Sequence, residues 1–372
     1  MTDAVPFDLF FACPPGLESL LCDEARTLGF ADAAAVPGGV TATGGWPEVW
    51  RANLELRGAV RVLARIGSFM AFHLAQLDKR SRKFDWGAVL RPDVPVKVQV
   101  SCKASKIYHA GAATQRIVTA LTESHGIPVS DDAALVIKVR IHDNEVTISL
   151  DTSGEPLHRR GHKEAVGKAP LRENMAALFL RQMGFDGSQP VVDPMCGSGT
   201  FVIEAAEIAT GLQPGRSRAF AFQDLASFDA AAFADLRREA DVPADAAPRF
   251  FGSDRDAGAV RSAQANAERA GVAALTRFAC HGAAEVRPPD GPPGLVMVNP
   301  PYGGRIGNKK LLYALYGSFG QTMLAQFKGW RVGLVTSEPA LAKTTGLPWT
   351  TQSSPVAHGG MTVWLWQSPP LR

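Results

Sequence analysis

Apolar residues recur along this chain with two different rhythms, and the change between them divides it. Leu9 to Phe11 form a short apolar strand, broken by Pro14, Pro15 and Gly16. Leu17, Leu20, Leu21, Ala25 and Leu28 follow at helical spacing and stop at Gly29. Pro37 to Gly45 is a glycine-rich loop or hairpin. Val60, Leu63, Ala64 and Ile66 to Phe69 pack as either helix or strand, because their period matches neither template cleanly. Val94 to Val100 predicts a strand and Thr114 to Ser124 a helix. Leu135 to Ile141 and Val146 to Leu150 predict two strands joined at Asp143-Asn144. This half is a mixed α+β fold.

From Asp151 to Lys168 the chain turns polar, with three glycines and a proline, and a domain boundary is placed there. The expected division is 1–155, a linker at 156–170, and 171–372. Beyond the seam strands and helices alternate: helix Leu171 to Met183, strand Val191 to Asp193, helix Thr200 to Thr210, strand Phe250 to Ser253, helix Ala257 to Ala270. Strands Leu275 to Ala279 and Leu295 to Asn299, helix Leu311 to Phe327 and strand Arg331 to Thr336 continue the pattern. Such alternation predicts a mostly parallel, doubly wound α/β sheet. Val363 and Leu365 alternate with Trp364 and Trp366 in a final strand, Met361 to Gln367. Phe220, Phe222, Phe228, Phe233 and Leu236, between the first helix and second strand of this half, read as a lid or packing insertion.

Charge changes the picture in one place. The net charge of +3 excludes a global polycation. Between Lys79 and Arg116, however, nine basic residues face only Asp85 and Asp93, a local +7 that suits phosphate neutralisation. Arg159, Arg160, Lys163, Lys168 and Arg172 form a second basic cluster at the seam. The five cysteines include no CxxC, which argues against a disulfide framework or cysteine zinc site and for a reducing cytosol. His158, His162 and His358 lack metal-ligand spacing and read as loop residues or contacts to a phosphate-bearing partner; no metal is expected. The start has no secretory pattern and no apolar run approaches the roughly 18 residues of a membrane span, so a cytoplasmic protein is expected.

Two turns can carry chemistry. Val191-Val192-Asp193-Pro194-Met195-Cys196-Gly197-Ser198-Gly199-Thr200 is a buried strand ending in an acid and a glycine turn that opens a helix, where backbone N–H groups can approach a nucleotide-like ligand. A tight βα turn also needs small residues, and the missing third glycine of G-x-G-x-x-G disfavours NAD. Cys196 reads as a packing residue. Asp254 ends the second strand, where its two oxygens suit the vicinal hydroxyls of a ribose, leaving Asp256 to cap the next helix. The other turn is Leu295-Val296-Met297-Val298-Asn299-Pro300-Pro301-Tyr302-Gly303-Gly304. Prolines lack N–H, so Asn299 and Pro300 can present two acceptors to an exocyclic amine while Tyr302 offers a face for stacking.

The order of glycine turn, ribose acid and Asn-Pro-Pro-Tyr resembles class I S-adenosylmethionine-dependent N-methyltransferases. Leu157-His158-Arg159-Arg160-Gly161-His162, Lys168-Ala169-Pro170-Leu171-Arg172-Glu173-Asn174 and Cys13-Pro14-Pro15-Gly16-Leu17-Glu18 extend the resemblance to the THUMP-domain RNA guanine-N2 methyltransferases of the RlmL-like, large-subunit ribosomal type, over nearly the whole chain. That resemblance implies a ferredoxin-like segment and THUMP domain that bind RNA, ahead of a Rossmann-like domain that methylates it. It implies S-adenosylmethionine at Asp193, Pro194, Met195, Cys196, Gly197, Ser198, Gly199, Asp254, Arg255 and His281, with Asn299, Pro300 and Tyr302 at the target base. RNA contacts are expected from Lys79, Arg80, Arg82, Lys83, Lys103, Lys106, Arg116, Arg159 and Arg160. Where the family carries an acid near the adenine this chain has Ala283, so adenine recognition falls to backbone, Asp224 or His281. Ribosomal 23S RNA is the favoured substrate. Transfer RNA, another amine (adenine N6 or a protein glutamine), and an RNA-binding assembly factor with a weakened cofactor site are the alternatives.

Overall fold

The two rhythms of the sequence become two sheets, each with its own core. In a computed structural model of the chain, which describes residues 6–164, 171–238, 247–302 and 309–372, the backbone divides into two units. Lys168, Ala169, Pro170, Gly303 and Gly304 lie outside the described residues. The first unit comprises 1–13, 22–157 and 218–237; the second comprises 14–21, 158–217 and 238–372. Neither is one continuous stretch.

The first unit is built from β1 (Phe7–Ala12), α1 (Glu18–Thr27, whose first residues belong to the second unit), β2 (Ala34–Val36), β3 (Gly39–Gly44), α2 (Trp46–Glu55), β4 (Arg61–Met70), α3 (Leu74–Lys83), β5 (Val96–Lys103), α4 (Ala110–Thr119), β6 (Leu135–His142) and β7 (Glu145–Asp151). They form a seven-stranded sheet in the order β2-β3-β1-β4-β7-β6-β5. Leu9, Phe11, Val62, Ala64, Ile137, Ile141, Val146, Ile148 and Leu150 are fully buried on one face. Alternate residues, among them Asp8, Arg65, Gln99, Lys138 and Arg140, line a concavity of about 940 Å³ on the other. The ambiguous run at Ile66 is explained by a bulge: β4 shifts register against β7 between Arg65 and Gly67, so one extra residue breaks the two-residue period. Asp143 and Asn144 turn β6 into β7 with φ of +51° and +64°, conformations that short polar side chains tolerate.

The second unit opens with α5 (Glu173–Gln182), β8 (Val191–Asp193) and α6 (Thr200–Ala209). The next helix, α7 (Ala230–Leu236), belongs to the first unit with the rest of 218–237. There Phe222, Phe228 and Phe233 surround Trp50 with ring centroids 5.8–6.4 Å from it, so this insertion is core packing. The second unit continues with β9 (Phe250–Asp254), α8 (Ala257–Arg269), β10 (Thr276–Cys280), β11 (Leu295–Val298), α9 (Lys309–Gln326), β12 (Arg331–Thr336), α10 (Pro339–Thr344), β13 (Thr351–Gln352), β14 (Val356–His358) and β15 (Met361–Gln367). The strand order is β10-β9-β8-β11-β12-β15-β13, with β14 paired to β15. Pairing is parallel from β10 through β12, and β15 enters antiparallel. The order reverses between β8 and β11, whose onward connections run to β9 on one side and to β12 on the other, and such switch points are where doubly wound sheets hold ligands. Residues 14–21 are tied in by Gly16: its φ is +96°, and a Cβ there would lie 2.4 Å from the Pro355 carbonyl oxygen. Among the described residues no helix is long and apolar enough to cross a membrane.

The ring cluster yields a stability prediction. Phe222 is fully buried beside Trp50, so Phe222→Ala should lower stability by about 3–5 kcal/mol in urea titrations followed by tryptophan fluorescence. An unchanged midpoint would show that the insertion does not pack there.

Candidate active site

The carboxyl ends of β8, β9 and β11 meet at the switch point, and each contributes one of the motifs read from the sequence. β8 is only three residues, all buried, and delivers Asp193 into the sheet edge. The turn after it is stitched to β9 by the Cys196 N–H donating to the Ser253 carbonyl at 2.9 Å, and closed on itself by the Gly199 N–H donating to the Cys196 carbonyl at 2.8 Å. Gly197 and Gly199 have φ of +52° and +86°. At Gly199 a Cβ would press on Ala263, Ile203 and Phe278 at 3.1–3.3 Å, whereas nothing lies within 4 Å of a Cβ at Gly197. The backbone at Gly197 therefore faces open space, a cradle that a ligand can approach closely.

Asp254 holds this cradle. One oxygen accepts the Gly197 N–H at 3.1 Å and the other the Asp256 N–H at 2.9 Å, so each keeps a lone pair for a hydroxyl donor. Asp256 caps α8 by accepting the Gly258 and Ala259 N–H groups. Asp193 accepts the Met195 N–H at 3.1 Å. Burial, with the nearby Asp254 charge adding to it, pushes the Asp193 carboxyl up to about 8. A cation beside Asp193 would reverse that cost. Burial also raises the Cys196 thiol, which keeps it protonated and removes it as a nucleophile. Arg255 is exposed, and the His281 backbone N–H donates to the Asp254 carbonyl at 3.1 Å, which holds His281 beside the carboxyl end of β9. Asp224 belongs to the first unit, where its charge supports Arg91.

At the end of β11, Asn299 Oδ1 is buried and has no hydrogen-bond partner among the described residues. Pro300 and Pro301 follow with no N–H to anchor the turn. Tyr316, fully buried on α9, supplies the missing donor: its hydroxyl lies 3.3 Å from the Pro301 carbonyl and 3.4 Å from Thr336 Oγ1. Burial raises its phenol, so it remains a donor across the neutral range. Nothing in the sequence marked Tyr316 apart from other helix core residues. Tyr302 is only 2% exposed, so the open stacking face expected of it is not presented in this structure.

The seam motif is placed differently from expectation. Arg160, expected to contact RNA, is 1% exposed and pairs with Glu204 of α6 at 3.0 Å. A buried guanidinium with its partner carboxylate cannot reach a phosphate. His162 is buried, and Lys163 is held by Glu173 at 2.7 Å and Thr200 Oγ1 at 2.8 Å, at the first turn of α6. His358 is buried as well, and the described residues contain no cluster able to hold a metal. Buried Asn266 of α8 completes the support by donating to the Ser198 carbonyl at 3.1 Å. Arg159 is exposed. In the first unit Lys79, Arg80, Lys83, Lys103, Lys106 and Arg116 are exposed, while Arg82 bridges Asp78 and Glu123 at 3.0 and 2.9 Å.

Comparison with known proteins identifies the family. The RMKL-like methyltransferase domain matches residues 160–362, more than half the chain. The chain belongs to that family. Membership makes the matched region an S-adenosylmethionine-dependent methyltransferase domain, and the RlmL ferredoxin-like domain matches residues 8–63. A ribosomal RNA large subunit methyltransferase K/L from Chromohalobacter salexigens is 33% identical over 362 residues, 92% of this chain and 50% of the relative. The chain thus spans about half the length of that protein. Among solved structures, SMU.472 in complex with SAH is 27% identical with a TM-score of 0.86, covering 99% of each chain. A protein from Listeria monocytogenes described as a predicted N6-adenine-specific DNA methylase is 29% identical with a TM-score of 0.85, covering 98% of this chain and 96% of its own. TrmN from Thermus thermophilus, 22% identical with a TM-score of 0.74 over 98% of this chain and all of its own, shares the fold.

Two outcomes follow for the RMKL-like domain. Removing Arg160 takes the guanidinium away from buried Glu204, so Arg160→Ala should cost about 3–5 kcal/mol in chemical denaturation, whereas exposed Arg159→Ala should change stability by less than about 0.5 kcal/mol. Folded Asp193 keeps its proton up to about pH 8, while the unfolded carboxyl loses it near its ordinary 3.8. The ligand-free protein should therefore lose stability as pH rises between those values. Asp193→Asn should abolish that slope and be more stable than wild type at pH 8 in thermal melts, while binding S-adenosylmethionine poorly by calorimetry.

Proposed function

We propose that this chain transfers a methyl group from S-adenosylmethionine to the exocyclic N2 amine of a guanine in RNA, with 23S ribosomal RNA as its substrate in the bacterial cytoplasm. The observation that carries the reading is the buried Asn299 Oδ1, without a hydrogen-bond partner among the described residues, beside a proline pair and one strand away from the glycine cradle. The Chromohalobacter relative supports ribosomal RNA, and SMU.472 with its SAH supports the cofactor.

The residues fit the donor. Asp254 has free lone pairs for both ribose hydroxyls, Gly197 leaves room for close approach, and Asp193 offers a carboxylate to a cationic methionine end. S-adenosylmethionine, when bound, supplies an electrophilic methyl on its sulfonium. The protein's own part is to hold the target. Asn299 Oδ1 and the Pro300 carbonyl accept the two amine hydrogens, which draws the nitrogen lone pair out of conjugation with the ring and aims it along the remaining direction. A guanine must leave its stack to reach these acceptors. Catalysis is then mainly positioning, and the amine sheds its surplus proton after transfer. Tyr302 takes part in stacking only when its ring comes out of its buried position; the reading rests on Asn299 and Pro300. The ferredoxin-like segment and the remainder of the first unit, read as a THUMP domain, deliver the RNA.

RNA from cells lacking the gene, incubated with enzyme and labelled S-adenosylmethionine and then digested to nucleosides, should yield N2-methylguanosine in the 23S fraction. Asn299→Ala should lower the rate at least about 100-fold, as loss of a preorganised polar contact does, with cofactor affinity little changed. Unchanged turnover in the variant, or N6-methyladenosine as the product, would overturn the assignment. Label in transfer RNA would move the substrate, and no cofactor binding would favour an RNA-binding factor.

A further inference from the structure

The helices of the first unit pack on the apolar face of its sheet, as the buried Leu77, Ala113 and Ile117 of α3 and α4 show. The basic residues Lys79, Lys83 and Arg116 ride on those helices. The opposite face is built otherwise. Every residue lining its concavity of about 940 Å³ comes from the seven strands or the turn between β2 and β3, and none from a helix. The concavity falls near the top of the about 300–1,000 Å³ range of ligand sites.

Its chemistry is polar and cationic. Arg65, Lys138 and Arg140 project into it, and Lys97 and Lys103 fall on the same side of β5 by the two-residue period of a strand. Asp8 and Glu145 are the carboxylates that line it. The Arg65 guanidinium lies 4.9 Å from the Phe10 ring centroid, a flat, cation-covered aromatic surface. Lys138 donates to Gln99 Oε1 at 2.9 Å, and Ser101, Thr147 and Ser149 add hydroxyls that both donate and accept. Burial and the neighbouring Arg140 charge lower Arg65, and burial lowers Lys138, so these cations are crowded and half desolvated. Of the exposed large apolar side chains among the described residues, Met70, paired with Glu145, falls on this side of the sheet, but none lines the concavity, which disfavours an apolar protein partner.

We propose that this open sheet face, centred on Arg65, Lys138 and Arg140 with Phe10 beneath, is a binding platform for unpaired RNA. It rests on RNA being the substrate, and it places the contact on the side of the sheet away from the cationic helices. Stacking on the Arg65–Phe10 pair and hydrogen bonds from strand-spaced hydroxyls suit splayed bases, whose faces and edges a duplex conceals.

The test compares the full-length wild type with two double variants, Lys138→Gln/Arg140→Glu on the sheet face and Lys79→Glu/Lys83→Glu on α3. Binding of a fluorescently labelled mixed-sequence single-stranded RNA of 12 nucleotides and of the matching duplex is read by anisotropy across a salt series. The sheet variant should weaken single-strand binding at least about tenfold and reduce the slope of log affinity against log salt by about 1.4, at 0.7 per lost cationic contact. The α3 variant should change single-strand affinity less. Lys138→Arg/Arg140→Lys, which keeps both charges, should bind nearly as wild type, separating lost contacts from lost folding. A 4-thiouridine probe should crosslink to peptides from β1, β4 or β6. Wild-type single-strand affinity in the sheet variant, or crosslinks confined to α3 and α4, overturns the proposal and leaves the face to another partner. Methyl transfer by the wild type is scored separately: binding lost on the sheet face without N2-methylguanosine formation would sink the catalytic reading and keep this one.

Discussion

Asp254 accepts one backbone N–H from the glycine turn after β8 and another from the residue opening the turn before α8, and the rest of the methyltransferase unit is arranged around that double acceptance. A turn with two glycines at positive φ has many conformations open to it, so something outside the turn must select one. Here the selection comes from β9: its last residue holds Gly197 through the side chain, and Ser253 holds Cys196 through the carbonyl. The parallel pairing of β8 with β9 is thus what shapes the cradle. The carboxylate that fixes the turn also keeps lone pairs for a ligand, so structural and binding roles share one side chain.

The same cradle is supported from below by buried charge. Arg160 with Glu204, Lys163 with Glu173 and Thr200, and Asn266 with the Ser198 carbonyl converge on the start of α6 from the seam, α5 and α8. Exposed ion pairs contribute about 0–1 kcal/mol, whereas a buried pair loses several kcal/mol when one member is removed. The HRRGHK run therefore owes its charges to the fold more than to a polyanion. Opposite it, the Asn-Pro-Pro-Tyr turn has the converse difficulty, acceptors without donors. Tyr316 resolves this from α9, and Asn299 keeps an acceptor that no described residue satisfies.

The first unit shows how little charge counting says about direction. The local +7 spreads over α3, β5 and α4, and its members face both sides of one sheet. The three cations at the centre of the open face include Arg65 and two β6 residues that lie outside that segment altogether. Linear clustering found the helices. Strand pairing assembled the platform.

By itself the sequence determined the α/β alternation after the seam, the hairpin at Asp143-Asn144 and the three strand-end motifs, because period, turn residues and proline chemistry act over a few neighbouring positions. β4 escaped because a bulge breaks its period, and α3 and α10 escaped because short helices with few apolar positions carry little pattern. Only the tertiary structure decided that 14–21 and 218–237 exchange units, that Arg160 is buried, that Tyr316 holds the proline turn and that Tyr302 is covered. Each of these depends on partners tens to more than a hundred residues away. Arg160 and Arg159 are adjacent and chemically identical in the sequence, and only the position of Glu204 on α6 separates a buried support from an exposed cation.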